Sequence, residues 1–116
     1  MRALALFSLA FALLALAACA PQKPDTSVPS IDVTFVSQVG GSIDASGTIT
    51  DADGPGNILD VKWKTTAGAH GGACSYDPGS GNFDCSFTLP AGNWGVIYTV
   101  TDKAGWTGTA SDNYSV

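Results

Sequence analysis

The chain has 116 residues and a formal net charge of −5, and all ten of its acidic residues are Asp. This length accommodates one domain and excludes a second of ordinary size. The acidic balance, without a cluster of Lys or Arg, argues against nucleic acid as a partner and against electrostatic docking on anionic lipids. The absence of Glu and the wealth of Gly, Thr, Ser and Val favour strands and turns over helices. We therefore predict an all-β protein.

The first element in chain order, residues 1–18, is typical of a secretory signal peptide. Arg2 precedes an apolar run that is too short for a permanent membrane span, which needs about 20 residues. The run ends in Leu-Ala-Ala-Cys at residues 16–19, which resembles a bacterial lipobox. We predict a lipoprotein that is cleaved before Cys19 and acylated there, with palmitate among its chains. The alternative is ordinary cleavage after an Ala-x-Ala-like site.

Because of the predicted lipid, we expect the protein to associate with a membrane and to be located in the bacterial cell envelope. Two or three acyl chains anchor a protein stably, whereas a single chain does not. By resemblance to enterobacterial sorting, Ala20 rather than Asp after the Cys favours the outer membrane. Residues 19–30 hold three prolines and little apolar bulk, so they are predicted to form a flexible, extended tether.

Residues 31–116 are predicted to form one folded domain, because apolar and polar residues alternate there with the period of a half-buried strand. The predicted strands lie at residues 31–35, 42–49, 59–64, 74–76, 83–89, 94–101 and 106–116. Residues 51–57 form a predicted turn, and residues 67–72 a Gly-rich loop. About seven strands, with a turn roughly every ten residues, predict a β-sandwich.

The three cysteines are predicted to divide into one anchor and one crosslink. With Cys19 acylated, Cys74 and Cys85 remain as a pair, and an oxidising envelope favours a disulfide between them. If the pair spans a hairpin, Tyr76 lies opposite Phe83 and residues 79–80 form a two-residue turn. Gly in the first position of such a turn suits type II′, although a longer loop is equally compatible.

Two pairs of segments resemble bacterial immunoglobulin-like modules. Residues 46–54 (SGTITDADG) and 58–63 (ILDVKW) are similar to the early strands of those modules. Residues 90–94 (PAGNW) and 96–105 (VIYTVTDKAG) are similar to the late strands. The resemblance covers residues 31–116 and implies a single immunoglobulin-like β-sandwich.

The resemblance also carries expectations for single residues and for function. It implies that Trp63 packs at the core, as a Trp of the third strand does in that family. Because Cys74 and Cys85 are only eleven residues apart, their bridge must be local, unlike the antibody-type bridge between distant strands. The family serves adhesion, spacing and recognition, which implies a non-catalytic role.

A calcium site is the first candidate for chemistry. Asp51, Asp53, Asn57 and Asp60 lie close together in sequence, and oxygen ligands suit Ca²⁺. No EF-hand register fits them, and the same residue types suit a plain turn. The turn is the favoured interpretation, so neither a metal nor a cofactor is predicted.

Catalysis has little support in the sequence. His70 is the only His, and a zinc site needs several His, Cys or carboxylate ligands. The predicted disulfide leaves no thiolate for nucleophilic chemistry. We therefore predict that the protein is not an enzyme.

Aromatic residues offer a third candidate, a platform on which sugars stack. Its possible members are Trp63, Tyr76, Trp94, Tyr98, Trp106 and Tyr114. Aromatic residues in phase with apolar neighbours belong more often to a core. Trp106, between a turn and small residues, is the member predicted to be exposed and to bind a ligand.

The predicted function is a lipid-anchored envelope module that binds a protein or a glycan, or has a structural role. The alternative is an inhibitor or accessory lipoprotein that acts on an enzyme through an exposed loop such as residues 67–72.

Overall fold

The computed structural model describes residues 26–116, which form two packed four-stranded antiparallel sheets. The strands are β1 (Ser30–Val39), β2 (Ser42–Thr50), β3 (Ile58–Thr65), β4 (Gly71–Ala73), β5 (Ser75–Tyr76), β6 (Asn82–Thr88), β7 (Asn93–Asp102) and β8 (Thr107–Ser115), with a 3-10 turn at Pro55–Asn57. The order in the first sheet is β1-β2-β6-β5, and in the second β4-β3-β7-β8. The predicted all-β sandwich is confirmed. The predicted signal peptide, Cys19 and tether residues up to 25 lie outside the described residues.

Eight strands replace the predicted seven because the chain changes sheets at Cys74. Residues 71–73, which lie in and just after the predicted Gly-rich loop, pair with β3 in the second sheet. Strand β5 pairs with β6 in the first sheet. Within residues 26–116, no helix is long and apolar enough to cross a membrane.

The inward faces of the two sheets meet in one apolar core. Its side chains are Ile31, Ile43, Ala45, Ile49, Ile58, Val61, Trp63, Phe83, Cys85, Phe87, Leu89, Val96, Tyr98, Val100 and Tyr114. Trp63 of the second sheet stacks on Phe87 of the first, with ring centroids 4.0 Å apart. Burial of each such large side chain contributes about 1.5–3 kcal/mol. The core position expected for Trp63 is therefore confirmed.

A β-bulge in β1 places Phe35 on the side of the sheet opposite to the one that alternation over residues 31–35 predicts. Val33 lies opposite Gly47, but Phe35 lies opposite Ser46, so Thr34 is an extra residue in β1. One extra residue moves the following side chains to the opposite faces of the sheet. Phe35 consequently faces solvent and is 62% exposed.

The hairpin between β5 and β6 has the predicted register and a longer turn. Tyr76 lies opposite Phe83, as expected. The carbonyl oxygen of Asp77 accepts hydrogen bonds from the amides of Ser80 (3.3 Å) and Gly81 (2.8 Å). Gly81 has a φ of +79°, whereas Gly79 has no positive φ, which excludes the type II′ turn. Residues 78–81 thus form the loop, as the longer alternative allowed.

The predicted disulfide joins Cys74 to Cys85 at the place where the chain changes sheets. The amide of Cys74 donates to the carbonyl of Val61 in the second sheet at 2.9 Å, while its sulfur is bonded to Cys85 in β6 of the first. A crosslink over so short a loop stabilises the fold by roughly 3 kcal/mol on the chain-entropy estimate.

The loops gather at the two ends of the sandwich. The proximal end, where the described chain begins, holds residues 26–29 and the turns at 51–57, 77–81 and 103–106. The distal end holds the turns at 40–41, 66–70 and 89–92. Because every long strand runs between these ends, each loop lies at one end or the other.

Candidate functional site

The outer face of the first sheet carries a row that joins an exposed aromatic ring to polar groups. Phe35 lies opposite Ser46, Ser46 lies opposite Asp84, and Asp84 lies opposite Ser75. We call this row, with its neighbours on the same side of the sheet, the Phe35 face. Its side chains are Phe35, Ser37, Asp44, Ser46, Thr48, Ser75, Asn82, Asp84 and Ser86.

A shallow depression of about 550 Å³ lies on this face. Thr34, Ser46, Thr48, Asn82 and Asp84 contribute to its lining. Hydroxyl, amide and carboxylate groups can donate and accept hydrogen bonds, and a bare aromatic ring offers a stacking surface. The face therefore combines the two kinds of contact that a polyhydroxylated ligand needs.

Two carboxyl groups of this face interact. A hydrogen bond with the Asp44 carboxyl raises the pKa of Asp84, and partial burial raises it further. The Ser86 hydroxyl donates to Asp84 Oδ1 at 3.2 Å and opposes the rise in pKa. Asp84 thus takes up a proton more readily than an isolated Asp residue would.

Charge is distributed unevenly over the two sheets. The Phe35 face holds carboxylates, whereas Lys62 and Lys64 lie in β3 of the second sheet. Lys62 forms an ion pair with Asp60 at 3.6 Å, and both side chains are substantially exposed. The first sheet therefore presents an acidic surface, which disfavours anionic ligands there.

The four residues considered for calcium form a turn at the proximal end. Asp51 Oδ1 accepts hydrogen bonds from the Asp53 amide (2.8 Å) and the Ser27 hydroxyl (3.3 Å), and Asp51 Oδ2 accepts one from Asn57 (3.3 Å). Asp60 is engaged by Lys62. Among residues 26–116, no three His, Cys, Asp or Glu side chains are grouped so that they hold a metal ion. The predicted turn is present, and calcium binding stays the alternative that the sequence did not favour.

The β7–β8 turn is built on a buried carboxylate. Asp102 Oδ1 accepts hydrogen bonds from the amides of Ala104 (3.0 Å) and Trp106 (2.9 Å). The turn also rests on the preceding one, because the Lys103 amide donates to the carbonyl of Asn57 at 2.8 Å. Trp106 is 44% exposed, as predicted. Its ligand-binding role stays a prediction.

The aromatic platform considered from sequence does not form. Trp63, Tyr98 and Tyr114 are buried, and Tyr76 and Trp94 are partly buried against the core. Trp106 is the one member of that set that is exposed. Most of these aromatic residues therefore belong to the core or pack against it, as is usual for aromatic residues in phase with apolar neighbours.

His70 lies at the distal end against an aromatic ring. Its imidazole meets the Trp94 ring edge to face, with centroids 5.1 Å apart. The Trp94 indole N–H donates to the carbonyl of Pro90 at 2.8 Å. These contacts tie the 66–70 and 89–92 turns together, which is a structural role for His70.

Phe35 is the exposed aromatic residue that the alternation pattern assigned to the core. The signal for its exposure is Gly47 on the neighbouring strand. A Cβ atom there would lie 1.8 Å from the carbonyl oxygen of Asp32, so only Gly accommodates the bulged β1. Gly within a strand often marks such a bulge or close approach of another backbone.

No protein-family model and no curated protein matches the chain. The solved structures that share its fold include two PKD1 domains. The PKD1 domain of Vibrio anguillarum Epp has a TM-score of 0.57 and 22% identity, over 77% of this chain and 93% of that one. The PKD1 domain from the Vibrio cholerae metalloprotease PrtV has the same TM-score and identity, over 77% of this chain and 96% of its own. The likeness establishes an immunoglobulin-like sandwich of the PKD type as the fold.

Proposed function

We propose that the protein is a lipid-anchored lipoprotein of the bacterial cell envelope whose immunoglobulin-like module binds a partner without catalysis. The observation that carries the binding role is the Phe35 face. A ring that is 62% exposed in the middle of a strand offers a stacking surface, and here hydroxyl and carboxylate groups flank it. The Leu-Ala-Ala-Cys sequence before residue 20 supports the anchor.

A neutral glycan is the ligand class that this face favours. Sugar rings stack on aromatic side chains through their C–H faces, while their hydroxyl groups bond to carboxylates, hydroxyls and amides. Asp84, Ser46 and Asn82 supply such groups around the depression. The carboxylates of the face repel sulfated and phosphorylated sugars, so uncharged envelope or extracellular polysaccharides are preferred.

Binding is tested with the mature chain on a glycan array and in a pull-down from envelope extract. We expect retention on neutral glycans that falls at least tenfold in a Phe35→Ser variant, the size of a lost ~1.4 kcal/mol contact. Leu59→Ser is the matched control, because Leu59 is equally exposed (63%) but lies in the second sheet. Equal loss in both variants, or no glycan and no protein partner, would refute the binding role of this face.

The anchor is tested separately in cells. A Cys19→Ser variant should leave the membrane fraction and lose the mass of its acyl chains, while its circular dichroism stays that of a β-sandwich. Cys74 and Cys85 are bridged, so Cys19 is the one thiol open to acylation in the mature sequence. Membrane association that survives the substitution would refute lipid anchoring.

The 66–70 turn supports a second candidate, an inhibitor or accessory lipoprotein. The Thr65 amide donates to the carbonyl of His70 at 2.9 Å, and the Gly68 amide donates to that of Thr65 at 2.8 Å. The exposed residues between them are therefore held in one conformation, as an inhibitory loop requires. Capture of an enzyme in the pull-down, lost on Ala69→Asp and retained in Phe35→Ser, would favour this candidate.

A further inference from the structure

Large apolar side chains are exposed at the proximal end of the sandwich. Six such side chains are exposed among residues 26–116, and three of them belong to this end. Val28 is 55% exposed, Leu59 63% and Trp106 44%. The Phe35 face and the distal part of β1 hold the other three. A function for the Phe35 face therefore leaves the proximal three unexplained.

Contacts between the proximal turns bring these three segments to one end. The Ser27 hydroxyl, next to Val28, donates to Asp53 Oδ2 at 2.8 Å. Ile58, next to Leu59, lies opposite Asp102, from which the turn to Trp106 begins. Leu59 is the extra residue of a bulge in β3, since the next pair in register joins Asp60 to Thr101.

The position of Cys19 limits how far this end can lie from a membrane. Cys19 and Thr26 are seven residues apart, and seven residues span at most about 25 Å. The ten residues of β1 place the distal end about 30 Å further away. An acyl anchor on Cys19 therefore keeps the proximal end within about 25 Å of the lipid headgroups.

We propose that the proximal end is seated on the lipid surface through Val28, Leu59 and Trp106. This inference rests on the lipid anchor of the proposed function. Trp prefers the interface between headgroups and acyl chains, and a weak apolar contact suffices once the anchor has raised the local concentration. Asp51 and Asp53 lie at the same end, so the surface fits zwitterionic rather than anionic lipid.

Seating fixes the orientation of the domain. The strands then stand away from the membrane, and the 40–41, 66–70 and 89–92 turns point outward. The Phe35 face lies along the side of the domain, where an extended polymer running parallel to the membrane can reach it.

The test couples the chain from Cys19 onward to a maleimide-phospholipid in phosphatidylcholine vesicles. Cys19 is its one unbridged thiol, so the anchor is imposed chemically and the result does not depend on acylation in the cell. The probe is quenching of Trp fluorescence by lipids brominated near the headgroup. We expect quenching in the parent chain and its loss in Trp106→Phe, while Trp94→Phe, at the distal end, retains it.

A second pair of variants separates lipid contact from damage to the turn. Val28→Ser combined with Leu59→Ser should reduce the quenching of Trp106. Val39→Ser, which replaces a similarly exposed apolar side chain at the distal end, should not reduce it. Absence of quenching in the coupled parent chain, or equal quenching in Trp106→Phe and Trp94→Phe, would overturn the proposal. Cell fractionation of Cys19→Ser decides the natural anchor independently.

Discussion

A pair of tyrosine hydroxyl groups lies inside the otherwise apolar core. The hydroxyls of Tyr98 and Tyr114 are 2.6 Å apart, and that of Tyr114 also donates to Asp112 Oδ2 at 3.3 Å. Because the Tyr114 hydroxyl donates to the carboxylate, its oxygen accepts the hydrogen bond that the Tyr98 hydroxyl donates. Burial raises the pKa of both phenols, which keeps them neutral. The series of hydrogen bonds from Tyr98 through Tyr114 to Asp112 connects the buried Tyr98 hydroxyl to an exposed carboxylate.

Removal of the two hydroxyls should have unequal effects on stability. Tyr98→Phe deletes a donor and leaves Tyr114 bonded to Asp112, so we expect a loss of about 1 kcal/mol. Tyr114→Phe leaves the Tyr98 hydroxyl buried without its partner, and we expect about 2–3 kcal/mol. Urea unfolding measures both free energies. A larger loss for Tyr98→Phe would contradict the direction assigned to the hydrogen bond.

The Asp44–Asp84 pair should make stability depend on pH. The pKa of Asp84 is higher in the folded chain than the ordinary value near 4, so the folded state binds more protons there. The free energy of unfolding should then fall as the pH rises through that pKa.

Asp84→Asn removes the repulsion between these two carboxylates and tests that dependence. We expect the variant to melt roughly 2 °C above the parent at pH 7, with no difference near pH 3. Asp32→Asn, which removes a charge from the same sheet opposite Thr48, is the control and should show a smaller gain. Differential scanning calorimetry at both pH values measures the melting temperatures. A higher melting temperature of Asp84→Asn that persists at pH 3 would contradict repulsion between the carboxylates as the cause.

The bulge in β1 depends on a glycine in its partner strand. At Gly47, a Cβ atom would lie 1.8 Å from the carbonyl oxygen of Asp32, which is closer than a Cβ atom can approach another heavy atom without a clash. We expect Gly47→Ala to cost about 2–3 kcal/mol, because β1 must move or lose its register. Gly56→Ala is the control, since nothing lies within 4 Å of its Cβ position. Equal unfolding free energies for the two variants would show that the bulge is not fixed by Gly47.

Most strands could be predicted from alternation because the register of a half-buried strand is fixed by its apolar side chains. The pattern of β2, β3, β6 and β7 therefore matches their burial. Two local features could not be predicted from the alternation pattern. The extra residue in β1 reversed Phe35, and the change of sheet at Cys74 added a strand at residues 71–73, which lie in and just after the predicted Gly-rich loop. Both depend on contacts between strands, which alternation within one strand does not encode.

The Phe35 face could not be predicted from the sequence for the same reason. Ser46, Asp84 and Ser75 are far apart in the chain and form a row only through the register of three strands. The disulfide was easier to predict, because two cysteines in an oxidising compartment allow a single pairing. The composition of the Phe35 face thus depends on strand register, whereas the crosslink could be predicted from the number of cysteines.

At the scale of the whole molecule, residues before the first predicted strand contribute to the fold. Pro29 is fully buried, and the Ser27 hydroxyl bonds to Asp51 and Asp53. We expect a chain that begins at Ile31 to be about 2 kcal/mol less stable than one that begins at Thr26, because it loses both contacts. Chemical denaturation compares them, and Ser27→Ala in the longer chain measures the hydrogen-bond share. Equal stability would place the boundary at residue 31.

The two ends of the described chain lie at opposite ends of the sandwich, which has a mechanical consequence. Thr26 begins at the proximal end, and Val116 pairs with Gly92 at the distal end. A pulling force applied between these two ends runs parallel to the strands. The nine residue pairs that join β1 to β2 then bear the load together, in shear, rather than opening one after another. The fold is therefore arranged to resist tension along its strands.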